Sequence, residues 1–339
     1  MSQSERKARA MEALLAHPYT APVWLRNAHA QTVWAPLFRR TPSVSRRIER
    51  VDTPDGDFLD LHITDGMDGK PAVLLLHGLE GSAESKYILG MHQKLHAIGW
   101  TAVTMEFRGC SREMNRARRL YHSGETTDLA FVAARVASAY RRVHLAGFSL
   151  GGNVLAKWLG ESADAVPSNV CSAAVVSVPF DLTVSGPNID RVMGGFYSRH
   201  FLRGLIGKAI AKERQYPGCV DIARVRAARK LVEFDNYGTA VLHGFRDADH
   251  YYRSQRSGQF LDKVQIPLLL LSAADDPFNP ASTLPRETAS LSDCLHPLFT
   301  ERGGHVGFVH GTPFRARYWA EEQLVRFFQL YDDWAHDGE

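Results

Sequence analysis

The chain has 339 residues, 45% of them hydrophobic, enough to bury a large core in one extended domain or in one domain carrying an insertion. Its 40 basic and 37 acidic residues are interspersed and leave a formal charge of +3, which builds no cationic track for a nucleic acid. Four widely separated cysteines, Cys110, Cys171, Cys219 and Cys294, form no metal-ligand or redox spacing and read as reduced structural thiols.

The opening MSQSERKARAMEALLAHPY carries charge where a secretory signal needs a continuous apolar core, and no apolar run of transmembrane length follows. A cytoplasmic location is therefore expected. Residues 1–45 read as an N-terminal arm packing on the core. Within it, APVWLRNAHAQTVWAPLFRR is interrupted by proline yet holds Trp24, Val33, Trp34, Leu37 and Phe38, and its aromatic and basic residues also suit weak peripheral contact with a bilayer surface.

Residues 46–178 read as the first part of the core. FLDLHI at 58–63 alternates like a half-exposed strand, whereas AVLLLH at 72–77, TAVTMEF at 101–107, RVHLAG at 142–147 and SAAVVSV at 172–178 read as buried strands. Segments 85–98, 125–138 and 153–162 between them are long enough for crossover helices. This alternation predicts an α/β fold with a mostly parallel central sheet covered by helices on both faces.

At 179–265 the rhythm changes to helical patterns and aromatic turns with no convincing buried strand, which predicts a helical lid inserted into the core. Phe180, Phe201 and Leu205 are candidates to wall an apolar acyl channel there. Residues 266–339 return to the core with the strand PLLLLSA at 267–273, the strand-like HPLFT, and the amphipathic closing segment AEEQLVRFFQLYDDW.

The chemistry centres on Gly147-Phe148-Ser149-Leu150-Gly151, where a strand runs straight into a helix. In this G-x-S-x-G pattern the small flanking residues let strand and helix approach closely while the serine projects from the bend. A serine nucleophile needs a base, and the base needs an orienter. Downstream, SAADDPFNP ends a strand with Asp275 and Asp276, and GGHVGF places His305 between glycines. The order serine, acid, histidine fits such a sheet; the PFNP turn favours Asp276 over Asp275 as the orienter. Backbone N–H groups of Leu79, in the HGLEGS loop, and of Leu150 are the expected oxyanion donors. Neither a phosphate-binding glycine loop nor a zinc-ligand spacing is present, and this chemistry requires no cofactor.

The segments HGLEG, FRGCS, YHSGETTDL, AGFSLGGN, SAADDPFNP and GGHVGF together resemble the YheT-like branch of the α/β-hydrolase superfamily, relatives of abhydrolase-domain carboxylesterases and lipases. NAHAQTVWAP resembles that branch's opening motif, with His29, Ala30, Gln31 and Thr32 in place of its usual hLQT form. The resemblance implies Ser149 as nucleophile, Asp276 as orienter and His305 as base, acting on a small-molecule ester of short to medium acyl length, glycerides included. A thioesterase or amidase with the same triad, or a scaffold that binds an apolar ligand without turnover, are the alternatives.

Overall fold

Residues 1–336 are described by a computed structural model. Eight strands form one sheet: β1 (Arg47–Asp52), β2 (Phe58–Thr64), β3 (Ala72–Leu76), β4 (Thr101–Met105), β5 (Val143–Phe148), β6 (Val170–Val176), β7 (Leu268–Ala273) and β8 (Leu295–Thr300). Their spatial order is β1-β2-β4-β3-β5-β6-β7-β8. The pairings β1 with β2 and β2 with β4 are antiparallel, and all others are parallel.

The strands alternate between two cores, as period-two side chains require. Leu74, Leu76, Leu145 and Val175 face one layer, where they meet Val132 of the helix after β4 and Val154 and Trp158 of the helix after β5; Val73, Leu75, Ala146 and Ala174 face the other. In chain order the helices flanking or leading into the sheet are α1 (Gln3–Leu15), α2 (Ala28–Phe38), α3 (Lys86–Ala97), α4 (Thr127–Ala139) and α5 (Leu150–Glu161). The closing helix Trp319–His336 packs with α1 and α3 on the second layer.

One sequence expectation changes here. Strand β2 is buried along its whole length, not half exposed. Its alternation marks polar side chains that are paired inside the protein: Asp60 accepts from Arg50 at 2.8 Å, and His62 lies 3.3 Å from Glu106. The N-terminal arm forms a regular helix in spite of its prolines. Asn27 caps α2 by accepting from the Ala30 N–H, and Pro36 sits inside that helix near its end.

Between β6 and β7 every described regular element is helical, including α6 (Leu182–Arg191) and α7 (Phe196–Gln215). This insertion has its own apolar cluster around Leu202, Leu205, Ala209, Val225 and Phe234. Its return segment packs so closely on α5 that a Cβ at Gly160 would stand 2.0 Å from the Phe260 carbonyl oxygen. The insertion is thereby tied to the helix that follows the serine turn.

Candidate active site

Strand β5 ends at Phe148 and α5 begins at Leu150, so Ser149 alone makes the turn. Its φ of 52° and ψ of −118° lie where a side-chain-bearing residue is strained, at a typical cost of about 1–3 kcal/mol. The surroundings hold it there: the Ser149 N–H donates to the Val176 carbonyl at 2.8 Å, and the Ser149 carbonyl accepts from Asn153 N–H at 3.0 Å. A Cβ at Gly147 would stand 2.5 Å from the Gly151 oxygen, and one at Gly151 would stand 2.4 Å from the His77 oxygen. Those two contacts explain why the motif needs glycine on both sides of the serine.

Asp276 comes from the loop after β7 and His305 from the loop after β8, and both converge on the same turn. Ser149 Oγ lies 2.8 Å from His305 Nε2, and His305 Nδ1 lies 2.9 Å from Asp276 Oδ2. With Nδ1–H donating to the carboxylate, Nε2 is left to accept the serine proton. Asp276 is buried, and its Oδ1 accepts from the Phe278 and Asn279 N–H groups at 2.8 and 3.2 Å. Asn279, absent from the sequence-based site, donates Nδ2 to Asp276 Oδ2 at 3.1 Å and to the Ser177 carbonyl at 3.0 Å. Asp275 turns elsewhere: its Oδ1 accepts from Gly304 N–H at 2.9 Å, and burial pushes its carboxyl above the usual range.

The loop after β3 passes against the serine, with a Cβ at Gly78 reaching within 3.2 Å of Ser149 Cβ. Leu79 and Leu150 border the same cavity as Ser149. Among the described residues neither backbone N–H finds an acceptor, so both donors are unspent at the site. The next residue, Glu80, has φ 53° and is clamped: its N–H donates to the Tyr121 hydroxyl at 2.8 Å, and its Oε1 accepts from Tyr121 at 2.7 Å and from Lys208 Nζ of α7 at 2.5 Å. That ion pair joins the lid to the loop that carries Leu79. His77 contributes only to the fold, since Nδ1 bonds the Gly78 carbonyl, Nε2 accepts from Phe107 N–H, and burial lowers its pKa to about 4.

The cavity beside Ser149 has a volume of about 90 Å³. Leu205 borders it, together with Leu182, Ile189 and Leu231. Phe180 does not. It is 2% exposed within the sheet-side core, its carbonyl bonded to Gly258 N–H. Phe201 also lies off this wall, edge-on to Phe278 at 6.1 Å. The far wall is less apolar than the sequence implied. It includes Asp235, Thr239, Tyr251 and Tyr252, with Ser185, whose buried Oγ has no partner among the described residues.

Arg108 of FRGCS pairs with Asp55, Asp57 and Asp128 at 2.9, 2.7 and 2.7 Å while almost fully buried, tying the β1–β2 connection to α4. Cys110 is a half-buried thiol whose pKa burial raises to about 11, far from that of a reactive thiolate. Among the described residues no group of three or more His, Cys, Asp or Glu is placed to hold a metal ion.

A mostly parallel sheet with a serine on the strained turn after its central strand, and an acid and a histidine on the loops after two later strands, defines an α/β hydrolase. Residues 71–312 match the alpha/beta hydrolase fold family, and the chain belongs to it. It is 36% identical to YheT of Escherichia coli (strain K12), a candidate esterase, over 90% of this chain and 91% of that protein. It is 29% identical to the Mus musculus phospholipase ABHD3 over 94% of this chain and 80% of that protein. Among solved structures, the Pyrococcus furiosus esterase Pf2001 shares the fold with a TM-score of 0.57 at 13% identity, covering 84% of this chain and 91% of that one.

Proposed function

We propose that this chain hydrolyses carboxylic esters through an acyl group carried on Ser149, with His305 as base and then acid, and Asp276 as orienter. The observation that supports this best is the hydrogen-bonded line from Ser149 Oγ through both nitrogens of His305 to Asp276, at 2.8 and 2.9 Å. As Oγ bonds the carbonyl carbon, its proton passes to Nε2 and the carbonyl electron pair moves onto oxygen, facing the Leu79 and Leu150 N–H groups. Collapse expels the alcohol oxygen, which takes the serine's proton from Nε2. Water then repeats the sequence on the acyl-serine, releasing the acid.

The small cavity favours a short to medium acyl group, and each methylene that it buries contributes about 0.8 kcal/mol. The unspent Ser185 hydroxyl suits a substrate with a further hydroxyl or ether oxygen, as a glyceride has. On aryl esters of increasing acyl length we expect kcat/KM to peak at short or medium chains, and Leu205→Ala to move the peak toward longer ones. An equal change at every length would remove Leu205 from chain selection. Faster turnover of matched thioesters or amides would replace the ester assignment while keeping the triad.

A membrane surface is the second contact supported by an observation. Phe314, at the tip of the hairpin between β9 (Val309–Thr312) and β10 (Arg315–Tyr318), is 98% exposed, and Leu37 and Phe38 at the end of α2 are 66% and 63% exposed. Phe314 and Phe38 border one groove with Arg40 and Arg315, two exposed cations, although Glu322 is there as well, paired with Arg317. Apolar tips among cations suit an anionic lipid surface. No helix among the described residues is long and apolar enough to cross a membrane. We expect sedimentation with phosphatidylglycerol-containing vesicles in low salt, lost in a Phe38→Ser, Phe314→Ser double variant; equal sedimentation of that variant would exclude this face.

A further inference from the structure

We infer that Thr32 and Gln31 of the N-terminal arm are positioning residues for the reaction, holding the loop that carries His305 at the distance proton transfer requires. The inference rests on the proposed role of His305 and adds to it a segment far away in sequence. Three consecutive backbone N–H groups of that loop each donate to a side-chain oxygen from a different part of the chain. Gly304 donates to Asp275 Oδ1 at 2.9 Å, His305 to Thr32 Oγ1 at 2.9 Å, and Val306 to Ser177 Oγ at 3.0 Å. The middle one belongs to the histidine itself.

The Thr32 hydroxyl has one proton, and it donates that proton to the Ala28 carbonyl at 2.8 Å. Its lone pairs are therefore left to accept the His305 N–H. Gln31 is fully buried and spends its amide on the loop's exit: Oε1 accepts from Val309 N–H at 2.8 Å, while Nε2 donates to the Val309 carbonyl at 3.1 Å and the Leu25 carbonyl at 2.8 Å. Backbone contact is equally close, since a Cβ at Gly304 would stand 2.5 Å from the Ala28 oxygen and one at Gly307 2.6 Å from the Gln31 oxygen.

The loop needs such holding. Val306 and Phe308 have φ of 54° and 42°, a left-handed backbone that branched and aromatic residues rarely adopt, so without outside bonds the loop would relax. Relaxation would carry His305 Nε2 away from Ser149 Oγ. Misplacement of a catalytic group by about 1 Å can cost on the order of a hundredfold in rate.

Thr32→Val keeps the shape of the side chain and removes the oxygen. With kcat referred to sites titrated by a fluorophosphonate, so that unfolded protein does not count, we expect about a hundredfold lower kcat and KM within about twofold. Thr32→Ser restores the oxygen and should restore most of kcat, and the smaller Thr32→Ala should behave like valine. Wild-type kcat per titrated site in Thr32→Val or Thr32→Ala would overturn the inference, as would a loss that serine does not repair. If instead the wild-type enzyme turns over without fluorophosphonate capture at Ser149, the triad itself is wrong, a failure separate from that of Thr32.

Discussion

Ser149→Ala is expected to leave a folded protein with ester hydrolysis reduced about a millionfold, the scale on which serine hydrolases lose turnover without their nucleophile. The fold should survive because, among the described residues, the only hydrogen bond of Ser149 Oγ is the one to His305, while the backbone bonds that hold the turn are made by the main chain. Alanine bears the same Cβ as serine, so the positive-φ turn is no more strained than before. A thermal melt close to wild type beside a lost steady-state rate, measured on one preparation, is the expected pair of results. A variant that keeps the parental rate would remove Ser149 from the nucleophile role.

Asp276→Asn is expected to cost about ten-thousandfold in kcat, as loss of the orienting carboxylate does in other triads. The buried carboxylate accepts His305 Nδ1–H and the Asn279 amide on one oxygen and two backbone N–H groups on the other, so every neighbour is a donor and none could accept from an amide N–H. An asparagine amide placed there presents N–H where an acceptor is needed and favours the wrong imidazole tautomer. Asp275→Asn should be much milder, about tenfold or less, because an amide oxygen can still accept the Gly304 N–H and a neutral group suits that buried position. Matched kcat measurements on the two variants check the assignment. Comparable losses, or a larger loss at position 275, would reverse it.

The buried strands were legible because a run such as AVLLL has no polar residue to place on a solvent face, and β3 is buried at all five positions. The serine turn was legible for a related reason: glycines flanking a serine between strand and helix have few uses other than a tight approach. Strand β2 alternates as a half-exposed strand does, yet Asp60 and His62 are buried and meet partners inside the protein. Pairing partners leave no periodic trace.

Phe180 illustrates a second limit. An aromatic residue at the start of an insertion looks like a channel wall, yet tertiary packing puts it under the lid's return segment, while Leu182 two residues later reaches the cavity. Ser185 and the hydroxyls beyond it gave no signal at all, since a lone serine in a helix is ordinary until its unsatisfied oxygen is seen. The contact from Thr32 to His305 spans 273 residues, a separation over which neither periodicity nor propensity carries information.

The central claim, that Ser149 is the nucleophile, is tested most directly by treating the wild-type protein with a fluorophosphonate and mapping the modified peptide by mass spectrometry while ester turnover is followed. The account predicts one adduct, on Ser149, rising in step with loss of turnover and absent from Ser149→Ala. An adduct on another residue that accounts for the lost activity, or full turnover with Ser149 modified, would contradict it.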